Sequence, residues 1–138
     1  MGGACIMIRY VLDTNVLVDV LRDKPKGGRK RFQEIGIDNC VVSDITVYEL
    51  YTGVSASANP EGNKELLEKM FDKLAVIPAS DAYWTAAQEK ARLAKAGTPI
   101  EDKDLLIGCT ALEYGLTLIT GNAKHLGRIQ GLNIEPWV

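Results

Sequence analysis

The chain has 138 residues, 46% of them hydrophobic, and a net charge of −2, which predicts one compact domain over residues 1–138 that folds without disulfide bonds. The small net charge gives no general reason to expect a nucleic-acid partner. No run approaches the ~20 apolar residues of a membrane-spanning helix, so a membrane protein is excluded.

Apolar periodicity predicts strands that alternate with helices along the chain. The strands are predicted over residues 9–12, 40–42, 75–77, 116–120 and, at the edge, 133–135. The helices are predicted over residues 15–21, 29–35, 44–53, from near 61–64 to about 74, 81–97 and 102–114, with a short helical turn near 125–129. Residues 55–63, which include Pro60 and Gly62, are predicted to form a loop. The helix from Asp81 has Trp84, Ala87, Ala91 and Ala94 at helical spacing, which indicates a scaffolding role.

Alternation of this kind predicts an α/β fold, a three-layer α/β/α domain around a parallel sheet of four to five strands. The carboxyl ends of parallel strands lie at one edge of the sheet, which is where ligands gather in open α/β folds. Polar residues follow three of the predicted strands: Asp13, then Ser43 and Asp44, then Thr120 to Asn122. The sequence therefore predicts a polar site at this edge, suited to metal or phosphate chemistry.

Asp13 lies where a strand pattern changes to a helical one, in Val11-Leu12-Asp13-Thr14-Asn15. Two interpretations remain open for it, because Asp is both a good helix cap and a good metal ligand. Glu49 and Asp104 interrupt apolar helical segments, where an unpaired carboxylate is costly unless it pairs with a cation. They also have simpler interpretations, an exposed position for Glu49 and a favourable first-turn position for Asp104.

The candidate ligands are carboxylates and the chain has a single histidine, which favours Mg²⁺ or Mn²⁺ over zinc as the bound metal. His125 is assigned a surface or capping role.

Two other classes of α/β protein are excluded by missing aspartates. A receiver-like domain needs an aspartate after residues 75–77, and the phosphatase D-x-D motif needs a second aspartate where Asn15 stands.

Six basic residues fall between residues 22 and 31, against Asp23 alone, so this segment carries +5 and the rest of the chain −7. They are Arg22, Lys24, Lys26, Arg29, Lys30 and Arg31. Pro25, Gly27 and Gly28 indicate a loop. The segment is either a solvated loop or a surface that holds the phosphates of a nucleic acid.

Three cysteines with no C-x-x-C pair favour the reducing cytoplasm. The start of the chain lacks the features of a secretory signal. Residues 1–6 are expected to form a flexible tail, and Met7 is an alternative start.

Four segments of the chain, in this order and spacing, resemble the PIN domain family and, within it, the VapC-like ribonuclease toxins of toxin–antitoxin pairs. These segments are Val11 to Asn15, Ser43 to Leu50, Pro99 to Ile107 and Leu118 to Leu126. The resemblance implies a PIN fold and a site for Mg²⁺ or Mn²⁺ formed by Asp13, Glu49 and Asp104. Asn122 takes a fourth position at which many members carry aspartate, which leaves the number of metal ions open. Thr14, Thr120 and Asp102 are expected to support the site.

The resemblance further implies an endoribonuclease that uses metal-activated water and leaves a 5′-phosphate and a 3′-hydroxyl. The basic residues would hold the RNA, a small antitoxin would block the acidic groove, and two copies would form a homodimer. Tyr48, Tyr51, Val54 and Trp84 are candidates for these contacts, although aromatic residues at such spacings more often belong to the core. The alternative function is a catalytically weak or inactive PIN-fold module that binds RNA or a protein partner, with Asn122 as the sign of decay.

Overall fold

Short strands of β-branched and aliphatic residues form the centre of the molecule in a computed structural model that describes residues 8–24 and 27–137. The strands are β1 (Tyr10–Leu12), β2 (Cys40–Ser43), β3 (Ala75–Ile77), β4 (Thr117–Thr120) and β5 (Ile134–Pro136). They form one parallel sheet in the order β3-β2-β1-β4-β5. The expected tail over residues 1–6, the alternative start at Met7, and Lys26 lie outside the described residues.

Helices connect the strands. Within the described residues they are α1 (Thr14–Arg22), α2 (Gly28–Ile35), α3 (Asp44–Ser55), α4 (Pro60–Phe71), α5 (Tyr83–Lys95), α6 (Asp102–Glu113) and α7 (Ala123–Leu126). Two 3-10 turns, Ile37–Asn39 and Ala79–Ala82, precede β2 and α5. None of these helices is both long enough and apolar enough to cross a membrane.

The sheet separates two apolar cores because successive side chains of a strand point to opposite faces. Val11, in β1, packs with apolar side chains of α5, α6 and α7 on one face. The next residue, Leu12, packs with side chains of α1 and α4 on the other face, where Trp137 joins them. This arrangement confirms the predicted three-layer α/β/α fold, with all of the predicted strands in one parallel sheet.

The predicted loop over residues 55–63 is too long, because α3 extends to Ser55 and α4 already begins at Pro60. Proline suits the first position of a helix, where its missing N–H is not needed. The side chain of Asn59 caps this helix by accepting a hydrogen bond from the Gly62 backbone N–H at 3.2 Å. The pair Asn59-Pro60 was therefore a helix start signal. At α5 the error is in the other direction: the predicted start at Asp81 is too early, since a 3-10 turn fills Ala79–Ala82 and α5 begins at Tyr83.

The buried face of α5 differs from the face that helical spacing suggested. Ala86 and Leu93 point into the core, whereas the side chain of Trp84 is 74% exposed. Ala87, Ala91 and Ala94 are exposed as well. Helical spacing identifies a stripe, but a stripe of small residues does not reveal which side of the helix meets the sheet.

Cys40 and Cys109 are free and buried, and burial raises the pKa of these thiols to about 11 and about 12 respectively. They act as small apolar residues of the two cores.

Candidate active site

Asp13 lies at the carboxyl end of β1 and is the buried carboxylate of the site, 4% exposed. One carboxylate oxygen, Oδ1, accepts a hydrogen bond from the Thr14 backbone N–H at 2.8 Å. The other, Oδ2, accepts one from the Thr120 hydroxyl at 2.6 Å, at the end of the neighbouring strand β4. Asp13 therefore caps α1 and also anchors the sheet edge, so its two interpretations are compatible.

Burial raises the pKa of Asp13, and the charge of Glu49 adds to this effect. The hydrogen bonds from Thr120 and Thr14 act in the opposite direction without cancelling it. The folded chain thus holds this carboxylate where its negative charge is disfavoured, an environment that a cation would relieve.

Thr14, the first residue of α1, joins α1 to α3. Its hydroxyl donates a hydrogen bond to Glu49 Oε1 at 2.7 Å and lies 3.0 Å from the hydroxyl of Thr46. Thr46 and Glu49 are three residues apart on α3, so both face α1. The Glu49 side chain is 23% exposed. It is therefore directed to the sheet edge, rather than fully exposed to solvent.

Asp104 enters the same edge from the first turn of α6. Burial raises its pKa most, followed by the negative charges of Asp13, Glu101 and Glu49, while His125 lowers it. The charges of Asp13 and Glu49 act on Asp104, and the charge of Glu49 acts on Asp13, so these three acids, far apart in sequence, form one acidic cluster.

Asn122 follows β4 and completes the edge. Its backbone N–H donates to the Thr120 hydroxyl at 2.9 Å, and its Oδ1 atom lies 3.0 Å from His125 Nδ1. Thr120 therefore links Asn122 to Asp13, and the side-chain oxygen of Asn122 is oriented by His125.

Two acids near this edge have structural partners elsewhere. Asp102 is exposed and accepts a hydrogen bond from Lys90 Nζ at 2.8 Å, on the side of α6 that faces α5. Asp44 accepts one from the Ala79 backbone N–H at 3.0 Å and so ties α3 to the segment after β3. The structure does not bring either carboxylate into contact with Asp13.

Lys103 belongs to the site, although sequence reasoning missed it. Its Nζ atom lies 3.8 Å from Glu49 Oε2, and its side chain is 59% exposed. The available signal was its position directly before Asp104, in the first turn of a helix whose other charged residues there are acidic.

Some basic side chains of residues 22–31 form hydrogen bonds within the protein, and others are exposed to solvent. The Arg29 guanidinium donates to the carbonyls of Val20 and Leu21 at 2.9 and 2.7 Å, which satisfies the end of α1. Arg31 donates to the Pro136 carbonyl at 2.7 Å and lies over the Trp137 ring. Exposed cations of the segment that are available to a ligand are Arg22, Lys24 and Lys30.

The donor set of this edge fits a hard divalent cation. Asp13, Glu49 and Asp104 offer carboxylate oxygens and Asn122 an amide oxygen, which are the ligands that Mg²⁺ and Mn²⁺ prefer. Within residues 8–24 and 27–137, no three acidic, histidine or cysteine side chains already surround one point closely enough to ligate an ion. Glu49 is instead held by Thr14 and Lys103.

The fold and the site together define the class of protein: an α/β/α domain with a cluster of acidic residues at the carboxyl edge of a parallel sheet. The PIN domain family model matches residues 10–132. The chain belongs to the PIN domain family.

Its relatives within this family are VapC proteins. It is 33% identical over 132 residues to the tRNA(fMet)-specific endonuclease VapC of Salmonella typhimurium, which covers 95% of this chain and 99% of the relative. It is 34% identical over 135 residues to ribonuclease VapC2 of Haemophilus influenzae, covering 96% and 100%. A crystal structure of DNA-bound VapBC from Salmonella typhimurium superimposes with a TM-score of 0.87 at 33% identity, over 96% of this chain and 100% of that one.

Proposed function

We propose that this protein is a divalent-metal-dependent endoribonuclease and the toxin of a toxin–antitoxin pair. The observation that carries the proposal is the hydrogen-bonded chain Asp13–Thr14–Glu49 at the carboxyl edge of the sheet, beside which Asp104 lies close enough for both acids to raise its pKa, in a chain whose relatives are named as ribonucleases.

Asp13, Glu49 and Asp104 would hold Mg²⁺ or Mn²⁺. A bound divalent ion lowers the pKa of water to give a nucleophile at neutral pH and offsets the charge that develops on the phosphate. Thr120 and Thr14 fix the carboxylates of Asp13 and Glu49, so the ligands are oriented before the ion binds. Asn122 would contribute its side-chain oxygen to the ion or to a water molecule. The product ends would be a 5′-phosphate and a 3′-hydroxyl.

RNA would reach this edge along the exposed cations Arg22, Lys24 and Lys30. Contacts with phosphates position a strand without reading its sequence, so these residues supply affinity and not the choice of target.

We assign a small antitoxin as the protein partner, because the solved relatives include toxin–antitoxin complexes such as VapBC. We also propose a homodimer that acts in the cytoplasm. Tyr48 and Trp84 are 65% and 74% exposed, so they are available for contacts between proteins, whereas Tyr51 and Val54 are partly buried in the core next to α4.

The decisive experiment is cleavage of purified RNAs, tRNA(fMet) among them, with Mn²⁺, Mg²⁺ or EDTA. We expect cleavage by the parent only with a divalent ion, and a loss of at least about 100-fold in Asp13→Asn and Asp104→Asn. Equal activity of these variants and the parent would remove the proposal. Asn122→Asp tests the alternative of an inactive binding module, since a decayed site gains activity from the restored charge and a working site changes little.

A further inference from the structure

Lys103 is the cation that faces the acidic cluster. It lies on the first turn of α6, next to Asp104, and its ammonium group is 3.8 Å from Glu49 Oε2. Among the ion pairs of the described residues, only this one involves Asp13, Glu49 or Asp104. The Lys103 side chain is more exposed than that of Glu49, 59% against 23%. The ammonium group thus lies on the solvent side of the carboxylate, where a polyanion can reach it.

The charges of this edge require a cation in addition to a divalent ion. Asp13, Glu49 and Asp104 together carry −3 when they are ionised, so one divalent ion leaves −1. An RNA phosphate carries a further negative charge and would be repelled. Lys103 offsets the charge that remains on these three acids, beside which Glu101 adds a further negative charge, and provides three N–H donors for a phosphate oxygen.

The basic segment is less directly placed for this role than Lys103. Asp13 and Thr14 are at the start of α1, whereas Arg22 is its last residue, and eight residue steps along an α-helix span roughly 12 Å. Arg29 and Arg31 are held by main-chain carbonyls. Arg22 lines one cavity together with Glu49, but among the ion pairs of the described residues only that of Lys103 involves an acid of the cluster.

We propose that Lys103 is the residue that binds the RNA phosphate at the acidic edge. Its ammonium group pairs with Glu49 when no RNA is bound, and it donates to a non-bridging phosphate oxygen when the strand arrives. This inference rests on the proposed function, because it assumes that the ligand of the site is RNA.

Binding without cleavage tests this role separately from catalysis. We would measure the Kd of two single-stranded RNAs of different sequence by fluorescence anisotropy, at several NaCl concentrations, with saturating Ca²⁺ to occupy the acidic cluster and a gel to verify that the RNAs stay intact. For Lys103→Gln we expect binding about three- to tenfold weaker for both RNAs, and a salt dependence reduced by about 0.7 in slope, the loss of one phosphate contact. Lys103→Arg should restore most of the affinity, since it also binds phosphate.

Lys90→Gln is the matched control. Lys90 is as exposed as Lys103 and also forms an ion pair, with Asp102. The substitution Lys90→Gln therefore removes one positive charge from a nearby surface, as Lys103→Gln does. We expect its RNA affinity to equal that of the parent. Equal losses of RNA affinity in Lys90→Gln and Lys103→Gln would overturn the inference, because they would reflect net charge alone. Unchanged RNA binding in Lys103→Gln would overturn it as well.

A double-mutant cycle with Glu49→Gln separates direct contact from neutralisation of Glu49. If Lys103 binds phosphate directly, Lys103→Gln weakens RNA binding by a similar factor in the Glu49→Gln protein. If Lys103 only neutralises Glu49, its effect disappears there, and the inference is wrong. Thermal unfolding of each variant verifies folding. Failure of RNA cleavage by the parent would count against the proposed function, whereas these binding ratios address Lys103 alone.

Discussion

Thr14 is the residue that couples the acids of the site to the fold. Its backbone N–H binds Asp13 and its hydroxyl binds Glu49, so one residue orients two carboxylates from different elements. Groups that orient metal ligands typically contribute 10–100-fold to metal affinity or activity. We expect Thr14→Val to lower RNA cleavage and Mn²⁺ affinity by about 10- to 100-fold each, measured by single-turnover kinetics and calorimetry.

Thr14→Ser is the control for this prediction, because serine keeps the hydroxyl and loses only a methyl group. It should retain activity within a fewfold of the parent. If Thr14→Val and Thr14→Ser behave alike, the hydroxyl has no part in positioning Glu49.

Asp104 is expected to destabilise the metal-free fold. Burial and the neighbouring acids raise its pKa, which means that its charged form is disfavoured in the folded state relative to the unfolded chain. Asp102 shares its favourable place in the first turn of α6 but is paired with Lys90. In EDTA at pH 7.5, Asp104→Asn should therefore be more stable to urea than Asp102→Asn, by up to about 1 kcal/mol.

The pH dependence of this difference follows from the sign of the shift. A raised pKa costs stability at pH values above it, where the folded protein must carry the charge, and costs nothing below the ordinary value of about 3.9. The gap between the two variants should close as the pH falls from 7.5 toward 4. A gap that widens on acidification would contradict the assigned repulsion.

At the level of elements, the C-terminal segment fastens β5 to α1 and α2. Trp137 is 1% exposed, its indole N–H donates to Asp19 Oδ2 at 3.1 Å, and the Arg31 guanidinium lies 4.9 Å from its ring centroid. Replacing a buried Trp by Ala typically costs about 3–5 kcal/mol. We expect Trp137→Ala to lose this amount of unfolding free energy, measured by urea denaturation.

Trp137→Phe separates packing from the hydrogen bond. It retains an aromatic ring but cannot donate to Asp19, so its loss should be smaller than that of Trp137→Ala. A Trp137→Ala protein within about 1 kcal/mol of the parent would show that the C-terminal segment is not a structural fastening.

The bounds of helices and strands were predictable from the sequence where the apolar periodicity and a residue that starts or ends an element agree. The strand over Ala75–Ile77 has the predicted bounds, since Pro78 ends it, and α6 begins at Asp102 as its first-turn acids indicate. The exposed face of α5 was not predictable, because alanine suits both core and surface. Lys103 was missed for a related reason, since only the crossing of α3 and α6 brings its ammonium group to Glu49.

At the level of the whole molecule, the fold brings together three carboxylates that repel one another. β1, α3 and α6 each contribute one acid to the same edge, from segments 36 and 55 residues apart in sequence. Parallel topology brings Asp13 and Glu49 together, because β1 and β2 end at the same side of the sheet, whereas Asp104 reaches this edge because α6 begins there and leads back to the start of β4. A divalent ion that relieves this repulsion would bind the folded chain and not the unfolded one, so we expect ion binding and global stability to be linked.

This linkage gives a prediction for thermal unfolding that requires no RNA. A ligand at 100 times its Kd stabilises the folded state by about 2.7 kcal/mol, so Mn²⁺ should raise the Tm of the parent in a saturable manner. Asp104→Asn should lose most of this rise and Asp102→Asn should keep it. NaCl at equal ionic strength controls for screening of the exposed charges. A parent Tm that Mn²⁺ leaves unchanged, or an equal rise in Asp104→Asn, would contradict the assignment of Asp104 as a ligand.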